Sequence, residues 1–310
     1  MPLPRSNTYA PPVPDDPLTK PAADLERPLD ALSVRDIVGA MNRADARVAD
    51  RVAPQLDELG RAIEAIVARM RAGGRLIYVG AGTSGRLAQV DAIECVPTFN
   101  LPEGTVMAIV AGGRESLERS TEEAEDDGGA GAAAVTACKI DPQDAVVGIS
   151  ASGRTPFVVG GLRAAREHGA LTVAITCRPG AELSTIADHS IEVDVGPEIV
   201  AGSTRLNAGT AQKMVLNMIS TATMVTLGKT FGGLMVDVQP RNKKLRARAL
   251  GVVVQATGTK QDEAAAALRD AGGDARVAIV ALSARCTPER AREVLARSGG
   301  SVRRALELSK

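Results

Sequence analysis

The stretch from Leu76 to Glu94, LIYVGAGTSGRLAQVDAIE, restricts the possible folds of this chain more than any other. Leu76-Ile77-Tyr78-Val79 is a short apolar run of strand character, Gly80 to Gly85 turns on glycines and small hydroxyls, and Arg86 onward reads as helix towards Glu94. A strand that breaks through such a turn into a helix makes an anion site, because the free N–H groups of the first helical turn point at the ligand and the helix dipole favours negative charge there. The turn therefore reads as a phosphate cradle, lined by Gly82, Thr83 and Ser84. The glycine spacing alone also occurs in plain tight turns, so the strand–turn–helix context carries the reading.

The flanking chain extends the same plan. Ser33-Val34-Arg35-Asp36 resembles a capping box and predicts a helix start. After Pro54, Leu56, Leu59, Ile63, Ile66, Val67 and Met70 fall three or four apart and predict one apolar helical stripe, stopped at Gly73-Gly74. Pro97 to Gly104 reads as loop, Thr105 to Val110 as a second strand, and Glu115 to Asp127 as an acidic helix broken at Gly128-Gly129. A third strand covers Asp144 to Ser150, and Pro156 suits the first turn of the helix after it. Leu171 to Thr176 and Ile191 to Val195 read as the fourth and fifth strands, with a short helix between them, and a long helix follows from Ala208 to Leu227. Strands alternating with helices predict an α/β chain with a parallel sheet covered on both faces, whose ligands bind beyond the carboxyl ends of the strands.

The last sixty residues differ. Leu268-x-x-Ala271-Gly272-Gly273-x-Ala275-Arg276 and Leu295-x-x-Ser298-Gly299-Gly300-x-Val302-Arg303 form an internal repeat of short helices joined at Gly-Gly. The mixed Arg and Glu face there reads as solvated surface. Three segments result: a Pro-rich tail over 1–30 with much of it disordered, an α/β unit with N-terminal helices over 31–255, and a small helical domain over 256–310.

Charge and composition narrow the partners. Lys and Arg number 37 and are balanced by 37 Asp and Glu, which leaves no basic field to hold nucleic acid. Aromatics make up 2% and Trp is absent, so stacking platforms for bases are not expected. No apolar run approaches the roughly 20 residues of a membrane span. The N-terminus lacks a basic-then-apolar signal pattern, which predicts a cytoplasmic protein acting on a small molecule. Cys95, Cys138, Cys177 and Cys286 are far apart and read as reduced packing thiols, and His168 and His189 as a helix-end and a surface residue, so no metal site is expected.

Three strand ends carry small-hydroxyl turns: Thr83-Ser84-Gly85, Ser150-Ala151-Ser152-Gly153-Arg154-Thr155, and Gly202-Ser203-Thr204-Arg205. Each alone can be an ordinary helix cap. On one parallel sheet they predict convergence on a phosphate and the hydroxyls of a sugar. A P-loop is excluded because no G-K-[ST] follows the glycines. A nicotinamide site wants an acid at the end of the next strand, and none stands before Glu115. Two carboxylates stand out by position. Glu94 has Ile93, Cys95 and Val96 as neighbours, which suit a carboxyl to donating a proton if they bury it. Glu125, in a run with Glu122, Glu123, Asp126 and Asp127, reads from position as a solvated helix acid.

IYVGAGTSGRL with DAIECVPTF, GISASGRTPFVV, AGSTRLNAGTAQKMVLNMIS and FGGLMVDVQPRNKKL closely resemble the N-acetylmuramic acid 6-phosphate etherases, from about Leu32 to the C-terminus. The vertebrate glucokinase regulatory protein is a relative of that family. The resemblance implies a three-layer sandwich of the sugar isomerase (SIS) type, a C-terminal domain similar to ubiquitin-associated folds, and a homodimer with sites at the subunit interface. It implies cleavage of a lactyl ether, giving N-acetylglucosamine 6-phosphate and D-lactate in cell-wall sugar recycling, with no metal or organic cofactor. It places the proton-donor glutamate at Glu94 and the second catalytic glutamate at Glu125. The hydroxyl turns then supply substrate-binding residues: Gly82, Thr83, Ser84, Ser150, Ser152, Gly153, Thr155, Ser203 and Arg205. This sequence departs from the family pattern with Ile93 for Ser, Val96 for Pro, Asn100 for Gly and Asn207 for Lys. The last removes a positive charge beside the third turn. A sugar-phosphate isomerase and a non-catalytic sugar-phosphate sensor remain alternatives. Glu94 and Glu125 present together favour an enzyme.

Overall fold

A computed structural model describes residue 18 and residues 27–119, 122–237 and 243–310. The disorder expected of the tail lies outside the described residues, except at Leu18 and Arg27 to Asp30. Leu18 is buried, and its carbonyl accepts the Gly202 N–H at 2.8 Å. Among the described residues three α-helices precede the sheet: α1 (Val34–Ala46), α2 (Val48–Val52) and α3 (Leu56–Arg71). Ser33 caps α1 by accepting the Asp36 N–H, as the capping-box pattern predicts.

Five strands make one parallel sheet: β1 (Leu76–Gly80), β2 (Val106–Val110), β3 (Ala145–Ser150), β4 (Leu171–Thr176) and β5 (His189–Glu192). Their order is β2-β1-β3-β4-β5. The strands alternate their side chains between two cores. Leu76, Tyr78, Val147, Ile149, Val173 and Ile175 face α2, α3, α4 (Gly82–Phe99) and α8 (Asn207–Thr226). Ile77, Val79, Val146 and Ala174 face α5 (Gly128–Ala137), α6 (Pro156–Glu167) and α7 (Glu182–Ile186). This is the expected three-layer sandwich, and β1 and β3 lie side by side at its topological switch point.

A hairpin of β6 (Thr230–Phe231) and β7 (Leu234–Met235), absent from the sequence reading, then leads to α9 (Lys243–Thr257), α10 (Gln261–Asp270), α11 (Ala275–Ala284), α12 (Pro288–Arg297) and α13 (Val302–Leu308). These helices share a third core that takes Val252 and Val253 from α9, ahead of residue 256. The two repeats have the same joint. Gly273 N–H donates to Leu268 O and Gly300 N–H to Leu295 O, each at 2.8 Å, and Asp274 and Ser301 cap the helices that follow. Among the described residues no helix is long and apolar enough to cross a membrane.

Several local expectations are corrected. α4 begins at Gly82 rather than Arg86 and runs through Pro97 to Phe99, where a loop was expected. The acidic helix is two short 3-10 turns, Gly113–Leu117 and Glu122–Glu125. Gly128-Gly129 starts a helix instead of breaking one, because Asp127 caps it by accepting the Ala130 N–H. The fifth strand sits two to three residues earlier than expected. His189 is half-buried and paired with Glu58, Nδ1 to Oε1 at 2.8 Å.

Candidate functional site

The site grows from the carboxyl ends of β1 and β3. Gly80 ends β1, and a Cβ there would lie 2.8 Å from the main chain of Gly85, so only glycine lets the first turn of α4 fold back this tightly. Ala81 is extended and offers no side-chain cap, which leaves the N–H groups of Gly82, Thr83 and Ser84 without intrahelical partners. Gly82 takes φ +52°, and a Cβ on it would sit 2.6 Å from Glu125 Oε1. The Glu125 carboxylate thus rests against the first turn of the glycine helix. That acid looked like surface from its position in the chain.

One strand over, Gly80 pairs with Ile149, so Ser150 lies beside the same turn. Ser150 Oγ is 2.8 Å from Thr155 Oγ1 and 3.4 Å from Ser152 Oγ. Gly153 N–H donates to Ser150 Oγ and Arg154 N–H to Ser152 Oγ. Three hydroxyls are thereby gathered at the start of α6, where Thr155 makes no side-chain cap bond and Pro156 opens the helix. Hydroxyl donors held in place before a ligand arrives suit a phosphate.

The third turn is built differently. Ser203 is half-buried and Arg205 exposed. The N-terminus of α8 already holds an anion: Glu198, with no exposed surface, accepts Asn207 N–H at 2.9 Å and Ala208 N–H at 3.0 Å. Burial pushes the Glu198 carboxyl up, and those two N–H groups oppose the rise. α8 nonetheless reaches the site from behind. A Cβ on Gly209 would lie 3.6 Å from Thr83 Cγ2, and the buried Ser84 hydroxyl donates to Gln212 Oε1 at 2.8 Å. Ser84 therefore ties α4 to α8, while Gly82 and Thr83 are the more accessible residues of that turn.

A buried network fixes α4 further along. Asp91 accepts Tyr78 Oη at 2.9 Å, Asn217 Nδ2 at 2.6 Å and Ser220 Oγ at 3.0 Å, and burial pushes its carboxyl up. Burial, then Asp91, pushes the Cys95 thiol up to about 12; burial, then Glu198, does the same for Cys177. Both thiols are buried and so kept in the protonated form, which fits the expected packing role. Sequence reasoning missed Glu198, Asp91 and Gln212, which carry no local motif.

Glu94 is twelve residues beyond Gly82 on α4, about 18 Å by helix rise. It is exposed, so its apolar neighbours do not enclose it within one chain. Val90, Ile93, Glu94 and Pro97 follow the i, i+3, i+4, i+7 spacing and form one exposed stripe, with Val90 60% and Ile93 56% exposed. Of the departures, Ile93 lies on this stripe, Val96 is half-buried, Asn100 ends α4 in the left-handed region, and Asn207 is buried over Glu198. Among the described residues no group of three or more His, Cys, Asp or Glu could hold a metal ion.

Residues 58–166 match the family described as the glucokinase regulatory protein N-terminal SIS domain, and residues 128–222 match the SIS domain. The N-acetylmuramic acid 6-phosphate etherase of Rubrobacter xylanophilus is 56% identical over 90% of this chain and 92% of its own length. Those of Cutibacterium acnes and Geobacillus thermodenitrificans are 50% and 48% identical over 90% of this chain, and 92% and 95% of theirs. The solved phosphoheptose isomerase of Francisella tularensis is 16% identical, covers 63% of this chain and 100% of its own, and superposes with a TM-score of 0.50, a likeness of fold alone.

Proposed function

The chain belongs to the N-acetylmuramic acid 6-phosphate etherase family, and from that premise we infer that it cleaves the D-lactyl ether of N-acetylmuramic acid 6-phosphate. The products are N-acetylglucosamine 6-phosphate and D-lactate, in the recycling of cell-wall amino sugar. The observation that carries the reading onto this site is the Glu125 carboxylate against Gly82, beside the gathered hydroxyls of Ser150, Ser152 and Thr155. A phosphate on that hydroxyl turn, with Gly153 N–H beneath it, places the sugar across the first turn of α4. Thr83 lines this path, and Ser203 and Arg205 border it.

The chemistry needs an acid and a base. An ether with an alkoxide leaving group is inert near neutral pH. Ring opening exposes an aldehyde at C1 and acidifies the C2 proton. Glu125, as carboxylate, takes that proton; the C3–O bond breaks, and Glu94, as carboxylic acid, protonates the departing lactate oxygen. The unsaturated aldehyde then accepts water at C3, with Glu94 taking the water's proton and Glu125 returning one to C2, which regenerates both groups. Each well-placed acid or base contributes about 10²–10⁴-fold, and the phosphate clamp supplies the orientation.

A span of about 18 Å along α4 is too long for both groups to act on adjacent carbons in one chain. The site is therefore completed by a second copy, whose α4 brings its own Glu94 to this copy's Glu125. The exposed Val90–Ile93–Pro97 stripe supplies the apolar contact around it. Incubating the purified protein with N-acetylmuramic acid 6-phosphate tests the activity: D-lactate should appear in step with loss of substrate. Substrate left intact, or isomerised without lactate, contradicts the reading.

A further inference from the structure

Each copy of the C-terminal repeat carries an arginine at the same place, Arg276 and Arg303. Arg303 is exposed, as the sequence suggested for this face, whereas Arg276 is half-buried. Both reach onto the segment between α8 and α9. The Arg303 guanidinium lies 5.5 Å from the centre of the Phe231 ring. Arg276 Nη1 donates to Asp237 Oδ2 at 3.0 Å. Asp237 is 5% exposed and accepts two more partners, Lys229 Nζ at 3.0 Å and Asn100 Nδ2 at 3.1 Å. Three parts of the molecule meet on this one carboxylate: the chain leaving α8, the helical unit, and the C-terminal end of α4.

The end of α4 needs an anchor. Pro97 has no N–H to give the Ile93 carbonyl, so the turn that presents Glu94 lacks a helical hydrogen bond. Asn100 closes the helix at φ +51°, a conformation asparagine tolerates, and its side chain makes the link to Asp237. The start of α4 is held independently through Ser84 to Gln212, and its middle through Asp91 to Tyr78, Asn217 and Ser220, which leaves the stretch beyond Asp91 to the Asn100–Asp237 link.

We propose that Asp237 is a positioning residue for the ether cleavage: it fixes the C-terminal end of α4, and with it Glu94, against the C-terminal helical unit. This rests on the reading of Glu94 as the acid and Glu125 as the base. Loss of the tether should misplace only the acid, because Glu125 lies at the anchored start of the helix.

Asp237→Asn and Asn100→Gly test this in the full-length protein, with D-lactate release, solvent exchange of the C2 proton and the thermal midpoint measured on each. Glycine adopts the left-handed conformation freely, so Asn100→Gly removes the link without strain even if Asp237→Asn folds poorly. Lactate release should fall roughly ten- to a hundred-fold in Asp237→Asn and by less in Asn100→Gly, the size expected of a small misplacement of a catalytic group. The C2 exchange rate and KM should stay at the parental values. A parallel fall of exchange and lactate release would reduce Asp237 to a structural role and overturn the proposal, as would parental lactate release in both variants. A parent that exchanges the C2 proton but releases no lactate would overturn the etherase reading itself.

Discussion

Glu198 lies beside Pro197 in a stretch that reads as loop, yet it is fully buried and bridges two N–H groups of α8. Nothing local announces this, because the two donors belong to a helix that starts nine residues later. Glu198→Ala should leave both donors buried without acceptors, at about 1–3 kcal/mol each, read as a lowered urea midpoint. The carboxylate also changes what Asn207 can do. A lysine there would start beside the Glu198 carboxyl, which accepts the main-chain N–H of the same residue, so Asn207→Lys should raise kcat/KM by less than the roughly tenfold of a full charge-assisted contact to substrate. Asp144 behaves in the opposite sense from Glu198. Its burial alone would push the carboxyl up, but Arg75, donating through Nε at 3.0 Å and through its main-chain N–H at 2.8 Å, holds it below the usual range. A depressed folded value adds stability above the unfolded value, lost as pH falls through the folded one. Asp144→Asn should therefore cost about 3 kcal/mol at pH 7, and the gap to the parent should close in strong acid, as urea denaturation at each pH would read.

The glycine helix and the Ser150–Thr155 turn are legible at the level of elements because their chemistry is local: small hydroxyls and glycines stand next to each other in the chain. The contact of Glu125 with Gly82 is not, since more than forty residues and two 3-10 turns separate them. Glycines also mislead where packing decides. Gly128-Gly129 looks like a break, but α5 starts there and lies almost on the main chain of α6, so that a Cβ on Gly131 would stand 1.9 Å from Phe157 O. Gly131→Ala should force these helices apart and destabilise the fold by about 1–3 kcal/mol, visible as a lower thermal midpoint with the sheet intact by circular dichroism. Pro97 misled in the other direction: a proline read as a helix stop is carried inside the last turn of α4.

For the whole molecule, the parallel sheet, its two covered faces and the helical repeat follow from period and punctuation in the sequence. The proposed division of the site between two copies does not, because it is argued from the length of α4 and from a surface that one chain leaves uncovered. The central claim is that Glu94 of one copy works with Glu125 of another. Glu94→Gln and Glu125→Gln should each be inactive as pure proteins. Mixed in equal amounts under conditions that exchange subunits, half the dimers are hybrids, and each hybrid has one site with both glutamates. D-lactate release from N-acetylmuramic acid 6-phosphate should then return to about a quarter of the parental rate. A mixture as inactive as its two components, with subunit exchange demonstrated, would mean that both glutamates act within one chain, and would contradict the account.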